Sequence, residues 1–363
     1  MIVNCLHCGR PYPEAGTPYS CPNCGGLYDF GVAWTLASEG LDAPGLWRHA
    51  ASLGVGFDRL TLGEGDTPLV SATAFGRQVY FKCEFSNPTG SFKDRGAATL
   101  VAFLRSRGVQ EAIEDSSGNA GAAFAAYAAC AGIKARVFVP ETASGPKRRQ
   151  IELYGAEVVP VPGPRSNAAE AARRLADTGV VYASHAYLPF NLPGYATCAL
   201  EIVEQLGRAP AAVVVPAGQG GLLLGLARGF MALAGAGRIQ QVPAIIGLQA
   251  AACAPLVALY DMGIMGLSFV TEGPTVAEGV RVRSPLRAQS VVETVRQSGG
   301  RLIAVEEAAI LPARDALARL GFYVEPTSAL VWHGLREALP ALRDPVVAIL
   351  SGSGYKVRDW AAA

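Results

Sequence analysis

Lys93 lies in the stretch "NPTGSFKDRGA" (87–97), directly after the strand-like run "VYFKCEF" and just before an expected helix near Asp94. A lysine in a turn of Gly, Ser, Pro and Thr has two readings. It is a solvated surface charge, or it is an amine held ready for chemistry. In an apolar pocket beside an anion site, such an amine can form a Schiff base with an aldehyde and afterwards shuttle protons.

Three more turns lie beyond expected strands and before expected helices or the chain end, where open α/β sheets bind ligands. Ser116-Ser117-Gly118-Asn119 leads into "AGAAFAAYAACAG". Ser and Asn cap helices, yet the hydroxyls and N–H groups of Ser116, Ser117 and Gly118 also suit a carboxylate, and Asn119 can bond a ligand oxygen. Ala217-Gly218-Gln219-Gly220-Gly221 follows a strand ending at Pro216. No Gly-Lys-Ser/Thr follows it, and position 223 is Leu where a dinucleotide fingerprint needs Gly, so neither nucleotide pattern applies. A phosphate cup at a helix start remains, or a tight turn without ligand. "LSGSGY" adds a hydroxyl, Ser351, able to face a pyridine nitrogen. Reactive lysine, phosphate cup and hydroxyl, in this order, point to pyridoxal phosphate.

Four of the eight cysteines form Cys5-x-x-Cys8 and Cys21-x-x-Cys24 with twelve residues between the pairs. Two thiolate knuckles on a returning hairpin suit a tetrahedral Zn2+, and four thiolates would leave it no open position, so the metal would be structural. Two redox pairs are the other reading of the spacing. Cys83, Cys130, Cys198 and Cys253 sit in apolar stretches and read as buried small residues.

These groups need a scaffold. From "VYFKCEF" onward strands and helices alternate: "IKARVFVP", "GAEVVPVP" followed by "SNAAEAARRLADTG" with Ser166 or Asn167 as N-cap, "AAVVVP", "VPAIIGLQA", "RLIAV" and "PVVAILSG". The strands are short, β-branched and hardly alternating, as in parallel sheets covered by helices on both faces. The expected fold is α/β with two doubly wound, mostly parallel sheets plus an N-terminal zinc ribbon. Expected domains are the ribbon over 1–30, a linker and packing segment over 31–70, an N-terminal α/β domain over 71–205 with the lysine and a mobile part, and a C-terminal α/β domain over 206–363 with the phosphate loop. With 31 basic against 30 acidic residues and a single Arg and no Lys between the outer ribbon cysteines, nucleic acid is not an expected partner. No apolar run reaches the roughly 18–20 residues of a membrane span. "MIVNCLHCGR" has no basic start followed by an apolar stretch, so a cytoplasmic location is expected.

The motifs resemble the fold-type II pyridoxal phosphate enzymes (the tryptophan synthase β-chain superfamily), and within them the threonine synthase family. "NPTGSFKDRG" is similar to that family's lysine segment, "SSGN" to its asparagine loop, "GQGG" to its phosphate loop and "LSGSG" to its terminal segment; "GEGDTPL" and "VEPTSA" also match. The resemblance implies that Lys93 carries the cofactor and moves protons, that Asn119 bonds its ring hydroxyl and that Gly218, Gln219, Gly220 and Gly221 hold its phosphate. Ser351 would meet the ring nitrogen, Ser116, Ser117 and Gly118 would hold the substrate carboxylate, and the chain would be a homodimer acting on a small amino acid. It further implies a lyase that converts O-phosphohomoserine to threonine and phosphate. Two departures stand out: Ala120 follows Asn119 where the family has Thr, and "YASHAYLPFNLPGYATCALEI" replaces a segment rich in Asn and Lys near the substrate phosphate. Losing those groups should weaken a phosphorylated substrate, which favours β-elimination from serine, threonine or diaminopropionate, or β-replacement, as the alternative. His185, in that segment, is a candidate substrate contact or a hydrogen-bonded, partly buried imidazole.

Overall fold

A computed structural model describes residues 2–30, 34, 36, 43–49, 56–143, 145–163 and 165–357. The expected 31–70 linker lies partly outside the described residues. The elements run β1 (Val3–Cys5), β2 (Tyr28–Phe30), β3 (Leu69–Ala74), β4 (Arg77–Lys82), α1 (Lys93–Ser106), β5 (Glu111–Glu114), α2 (Asn119–Ala131), β6 (Lys134–Pro140), α3 (Pro146–Leu153), β7 (Glu157–Val161) and α4 (Arg165–Ala176). There follow β8 (Val181–Tyr182), α5 (Leu192–Leu206), β9 (Ala212–Pro216), α6 (Gly221–Gly235), β10 (Ala244–Ala250), α7 (Pro255–Met262), α8 (Ala288–Gln297), β11 (Arg301–Val305), α9 (Glu307–Arg319), α10 (Pro326–Ala338) and β12 (Val346–Ile349). The chain forms two compact units, one of Met1–Gly65, Lys93–Gly194 and Lys356–Ala363, the other of Asp66–Phe92 and Tyr195–Tyr355.

In the first unit β7, β6, β5 and β8 form a parallel sheet in that order, and β1 pairs antiparallel with β2 in a separate ribbon. Helix α2 is mostly Ala with one Gly, so it packs closely: a Cβ on Gly121 would lie 1.8 Å from the Ser116 carbonyl oxygen. Gly132 ends the helix in the left-handed conformation at φ 70°, where glycine avoids the Cβ clash. Helix α4 begins at Arg165, so Ser166 and Asn167 are not its cap. The Asn167 amide donates instead to the Pro162 carbonyl at 2.9 Å, which ties the helix to the loop before it.

In the second unit six strands run β11-β10-β9-β12-β4-β3, all parallel except the antiparallel edge pair β3/β4. Every residue of β9 and β12 is buried, which is the reason these strands read as continuous apolar runs. The core below them joins Val214, Leu248, Phe81 and Val346 to Leu330 and Leu335 of α10. A buried ion pair, Lys82 Nζ to Glu201 Oε2 at 2.7 Å, links β4 to α5. Among the described residues no helix is long and apolar enough to cross a membrane. Cys83, Cys198 and Cys253 are buried as expected, whereas Cys130 is exposed because it falls in the last turn of α2.

Candidate active site

The lysine segment is held by its own neighbours. Glu84 accepts from Thr67 Oγ1 at 2.7 Å through Oε1 and from Asn87 Nδ2 at 3.0 Å through Oε2. Thr67 comes from "GEGDTPL", whose Glu64 accepts from Tyr127 of α2 at 2.6 Å and from the Trp47 indole at 3.0 Å. The motif therefore braces both units from within. Gly90 sits at φ +88°, and its carbonyl accepts from Ser353 N–H at 2.9 Å. Phe92 N–H donates to the Ser351 carbonyl at 3.0 Å. The peptide just ahead of Lys93 is thus fastened to the segment that carries Ser351. Ser91 Oγ is buried with no hydrogen-bond partner among the described residues.

Lys93 is the first residue of α1 and is half-buried. Burial, opposed by the carboxylate of Glu114 and helped by the charge of Arg165, lowers its ammonium pKa from 10.5 to about 8. A more neutral amine is what attack on an aldehyde requires. In the same unit the 116–119 loop links β5 to α2. Ser116 Oγ accepts from Gly118 N–H at 3.2 Å, and the helix cap is Gly118 with no side-chain bond. Capping therefore does not account for Ser116, Ser117 or Asn119.

His185 is gathered into this unit as well. Its Nδ1 lies 2.5 Å from Glu114 Oε1. Asn191 donates to its carbonyl at 2.6 Å, and Ser184 Oγ accepts from Ala186 and Tyr187 N–H, so the segment is a fixed turn. Asp115, the next residue after Glu114, accepts from Tyr182 at 2.7 Å. Burial raises the Glu114 carboxyl, but the charge and hydrogen bonds of His185, with Arg165, outweigh it and hold Glu114 below its usual range. Burial and the Glu114 charge push Asp115 up. Glu114, Asp115 and Arg165 belong to none of the sequence motifs. For the two acids the signal is "AIED", a pair of carboxylates at the end of a buried strand, which is rare without a partner; Arg165 carries none.

The second unit supplies the glycine turn. A Cβ on Gly218 would lie 2.7 Å from the Gly279 carbonyl oxygen, and one on Gly220 would lie 2.3 Å from Val291. Gly220, at φ +84°, caps the 15-residue α6 without any side-chain bond, and an uncapped helix start is the kind of backbone that binds anions. Gln219 turns its Oε1 to Leu286 N–H at 3.2 Å. Ser351 is buried with its hydroxyl 3.1 Å from that of Ser328. A bare backbone cradle, a lone buried hydroxyl at Ser91 and a lysine of lowered pKa fit pyridoxal phosphate in the chemistry each unit offers.

The ribbon brings Cys5, Cys8, Cys21 and Cys24 together, all four sulfurs within 4.8 Å of one another. The Cys5–Cys24 and Cys8–Cys21 pairs are 3.5 and 3.7 Å apart, against about 3.8 Å for the edge of a tetrahedron with Zn–S bonds of about 2.3 Å. The Cys8 N–H lowers the Cys5 thiol despite its burial, whereas, against the Gly26 N–H, burial and the neighbouring sulfurs push the Cys24 thiol up. Tyr12, between the two cysteine pairs, meets Phe103 and Phe190 edge-on at 5.8 and 5.0 Å; Tyr19 meets Tyr182 and Tyr187 at 5.4 and 5.1 Å.

Comparison with known proteins adds the lineage. The profile described as "Pyridoxal-phosphate dependent enzyme" matches residues 60–352. Threonine synthase from Methanocaldococcus jannaschii is 33% identical over 99% of this chain and 94% of its own. The threonine synthase of Mycobacterium tuberculosis is 35% identical over 87% of this chain and 88% of its own. Among solved structures, a T.th. threonine deaminase superposes with a TM-score of 0.66 at 29% identity, covering 81% of this chain and 93% of that one. Maize serine racemase gives 0.69 at 25% identity, covering 80% and 88%. Since the match runs from ahead of Lys93 to just past Ser351, this chain belongs to the pyridoxal-phosphate-dependent enzyme family.

Proposed function

We propose that this threonine synthase-like lyase converts O-phosphohomoserine to threonine and phosphate. The observation that carries the reading is near-full-length similarity to threonine synthases, 33% and 32% identity over 99% and 98% of the chain. Pyridoxal phosphate, when bound, supplies an electron sink for the carbon that loses its proton. Lys93 holds the cofactor and moves protons at the substrate α-carbon and its neighbour. Gly218, Gln219, Gly220 and Gly221 hold the cofactor phosphate, Asn119 its ring hydroxyl, and Ser351 its ring nitrogen. A hydroxyl cannot donate a full proton there as a carboxylic acid can, which favours elimination and replacement over transamination. Ser116, Ser117 and Gly118 hold the substrate carboxylate, with His185 nearby. Cys5, Cys8, Cys21 and Cys24 hold one structural Zn2+, measurable by elemental analysis. Family resemblance also supports a homodimer, and its place is the cytoplasm.

A second reading, β-elimination from serine, threonine or diaminopropionate or a β-replacement, is favoured by one feature. The segment around His185, "YASHAYLPFNLPGYATCALEI", carries no lysine to meet a substrate phosphate. The deciding experiment is phosphate release from O-phospho-L-homoserine by cofactor-loaded protein, with Lys93→Ala as the blank. Stoichiometric threonine establishes the first reading. Ammonia from serine, threonine or diaminopropionate, without phosphate release, establishes the second.

A further inference from the structure

The Glu114–His185 pair lies in the first unit, and neither the fold nor the cofactor accounts for it. Glu114 closes a buried strand with 1% of its side chain exposed, while His185 keeps 12%. Glu114 Oε1 takes Nδ1 of His185 at 2.5 Å, and Oε2 is buried without a hydrogen-bond partner among the described residues. The pairing is therefore the carboxylate's main compensation for burial. A carboxylate on Nδ1 sets the tautomer and leaves Nε2 as the working edge of the ring, with positive charge stabilised whenever Nε2 takes a proton. The groups facing this pair are Asp115 on its own strand end, Tyr182 on β8 bonded to Asp115, Arg165 at the start of α4, and Lys93 on α1. The ligand atoms of Glu114, Asp115 and His185 lie within 4.8 Å of one another. The positive charge of Arg165, which acts on both Glu114 and Asp115, opposes a divalent metal and leaves proton transfer as the better use.

Resting on the function proposed above, we propose that His185 is a catalytic residue whose Nε2 protonates the substrate's departing phosphate oxygen, and that Glu114 is its positioning residue. The C–O bond breaks with its electron pair passing to oxygen. Nε2–H supplies the proton that makes the product hydrogen phosphate. The ring regains a proton from the water whose hydroxide adds to the neighbouring carbon. His185 stands one position after Ser184 in a turn held by Asn191, and Glu114 stands two positions before Ser116 of the carboxylate loop. One end of the substrate would thus be read by the loop and the other by the dyad.

The test is phosphate release from O-phospho-L-homoserine by cofactor-loaded protein, with wild-type turnover measured first. Absence of wild-type release counts against the proposed substrate and leaves His185 to the spectroscopic arm. His185→Ala should lower kcat by about 10²–10⁴-fold, the range of one general acid, and added imidazole should restore part of it. Glu114→Gln should cost about 10–100-fold, and the double variant should fall no further than His185→Ala alone. The chain has 4 histidines, so the His185 ring signal can be assigned by its loss in His185→Ala. In the wild-type holoprotein that signal should shift when inorganic phosphate is added. A kcat within about threefold of wild type in His185→Ala overturns the proposal. So does a lack of imidazole rescue in a variant that keeps its fold and the cofactor's visible absorbance. An unmoved ring signal at saturating phosphate overturns it as well.

Discussion

The lowered pKa of Lys93 makes a kinetic prediction that needs no substrate. Only the neutral amine attacks the cofactor aldehyde, so covalent loading of the apoprotein follows the neutral fraction of Lys93. Its pKa falls from 10.5 to about 8. At pH 7 the neutral fraction is then about 9%, against ~0.03% for an ordinary lysine, an advantage of roughly 300-fold. Because the pKa is lowered, the reactive form accumulates as pH rises through 8 and is saturated well before an unperturbed lysine would begin to titrate. The assay mixes apoprotein with excess pyridoxal phosphate across pH 6 to 10.5 and follows the visible band by stopped flow. The half-maximal rate should fall near pH 8. Glu114→Gln removes a nearby negative charge and should move the midpoint down; Arg165→Gln removes a positive one and should move it up. A midpoint near 10.5, or one indifferent to both substitutions, refutes the account of a desolvated amine between two opposed charges.

Two further substitutions probe the second unit. Gly220→Ala places a Cβ 2.3 Å from Val291 at φ +84°, so cofactor affinity by equilibrium dialysis should fall at least about tenfold, or about 1.4 kcal/mol; unchanged affinity would show that the turn does not shape the cradle. Lys82→Met leaves Glu201 buried opposite an apolar chain, with both partners at 0% exposure. That should cost about 3–5 kcal/mol in denaturant unfolding, and Glu201→Leu added to it should recover much of the loss.

The reactive turns were legible because their chemistry is local. "NPTGSFK", "SSGN" and "AGQGG" announce themselves through residue types that only turns at helix starts need, and Lys93, Asn119 and Gly221 do open α1, α2 and α6. The short buried strands were legible for a similar reason: β9 and β12 are apolar at every position. What stayed hidden is non-local. Nothing in "LVSATA" or "RQVYFK" says that these strands extend the sheet of β9 and β12, because a parallel partner can lie anywhere in the chain. Here β4 pairs with residues more than two hundred positions later. The Glu114–His185 contact, 71 positions apart, is invisible for the same reason, although two acids at the end of a buried strand were a reason to look for a partner. Helix α4 starts ahead of its Ser and Asn, and Asn167 bonds backward to Pro162, a use of the side chain that composition cannot distinguish from capping.

The tyrosines of the cysteine ribbon alter what counts as one domain. The family profile begins at residue 60, as if the first residues were an attachment. Yet Tyr12 closes over Phe103 and Phe190, and Tyr19 over Tyr182 and Tyr187, the residues on either side of His185. A chain trimmed to the profile would bare four aromatic faces and unclasp the turn between positions 182 and 190. The border that separates module from module along the sequence runs, in space, through the middle of a shared aromatic cluster. The ribbon is a wall of the house and not its porch.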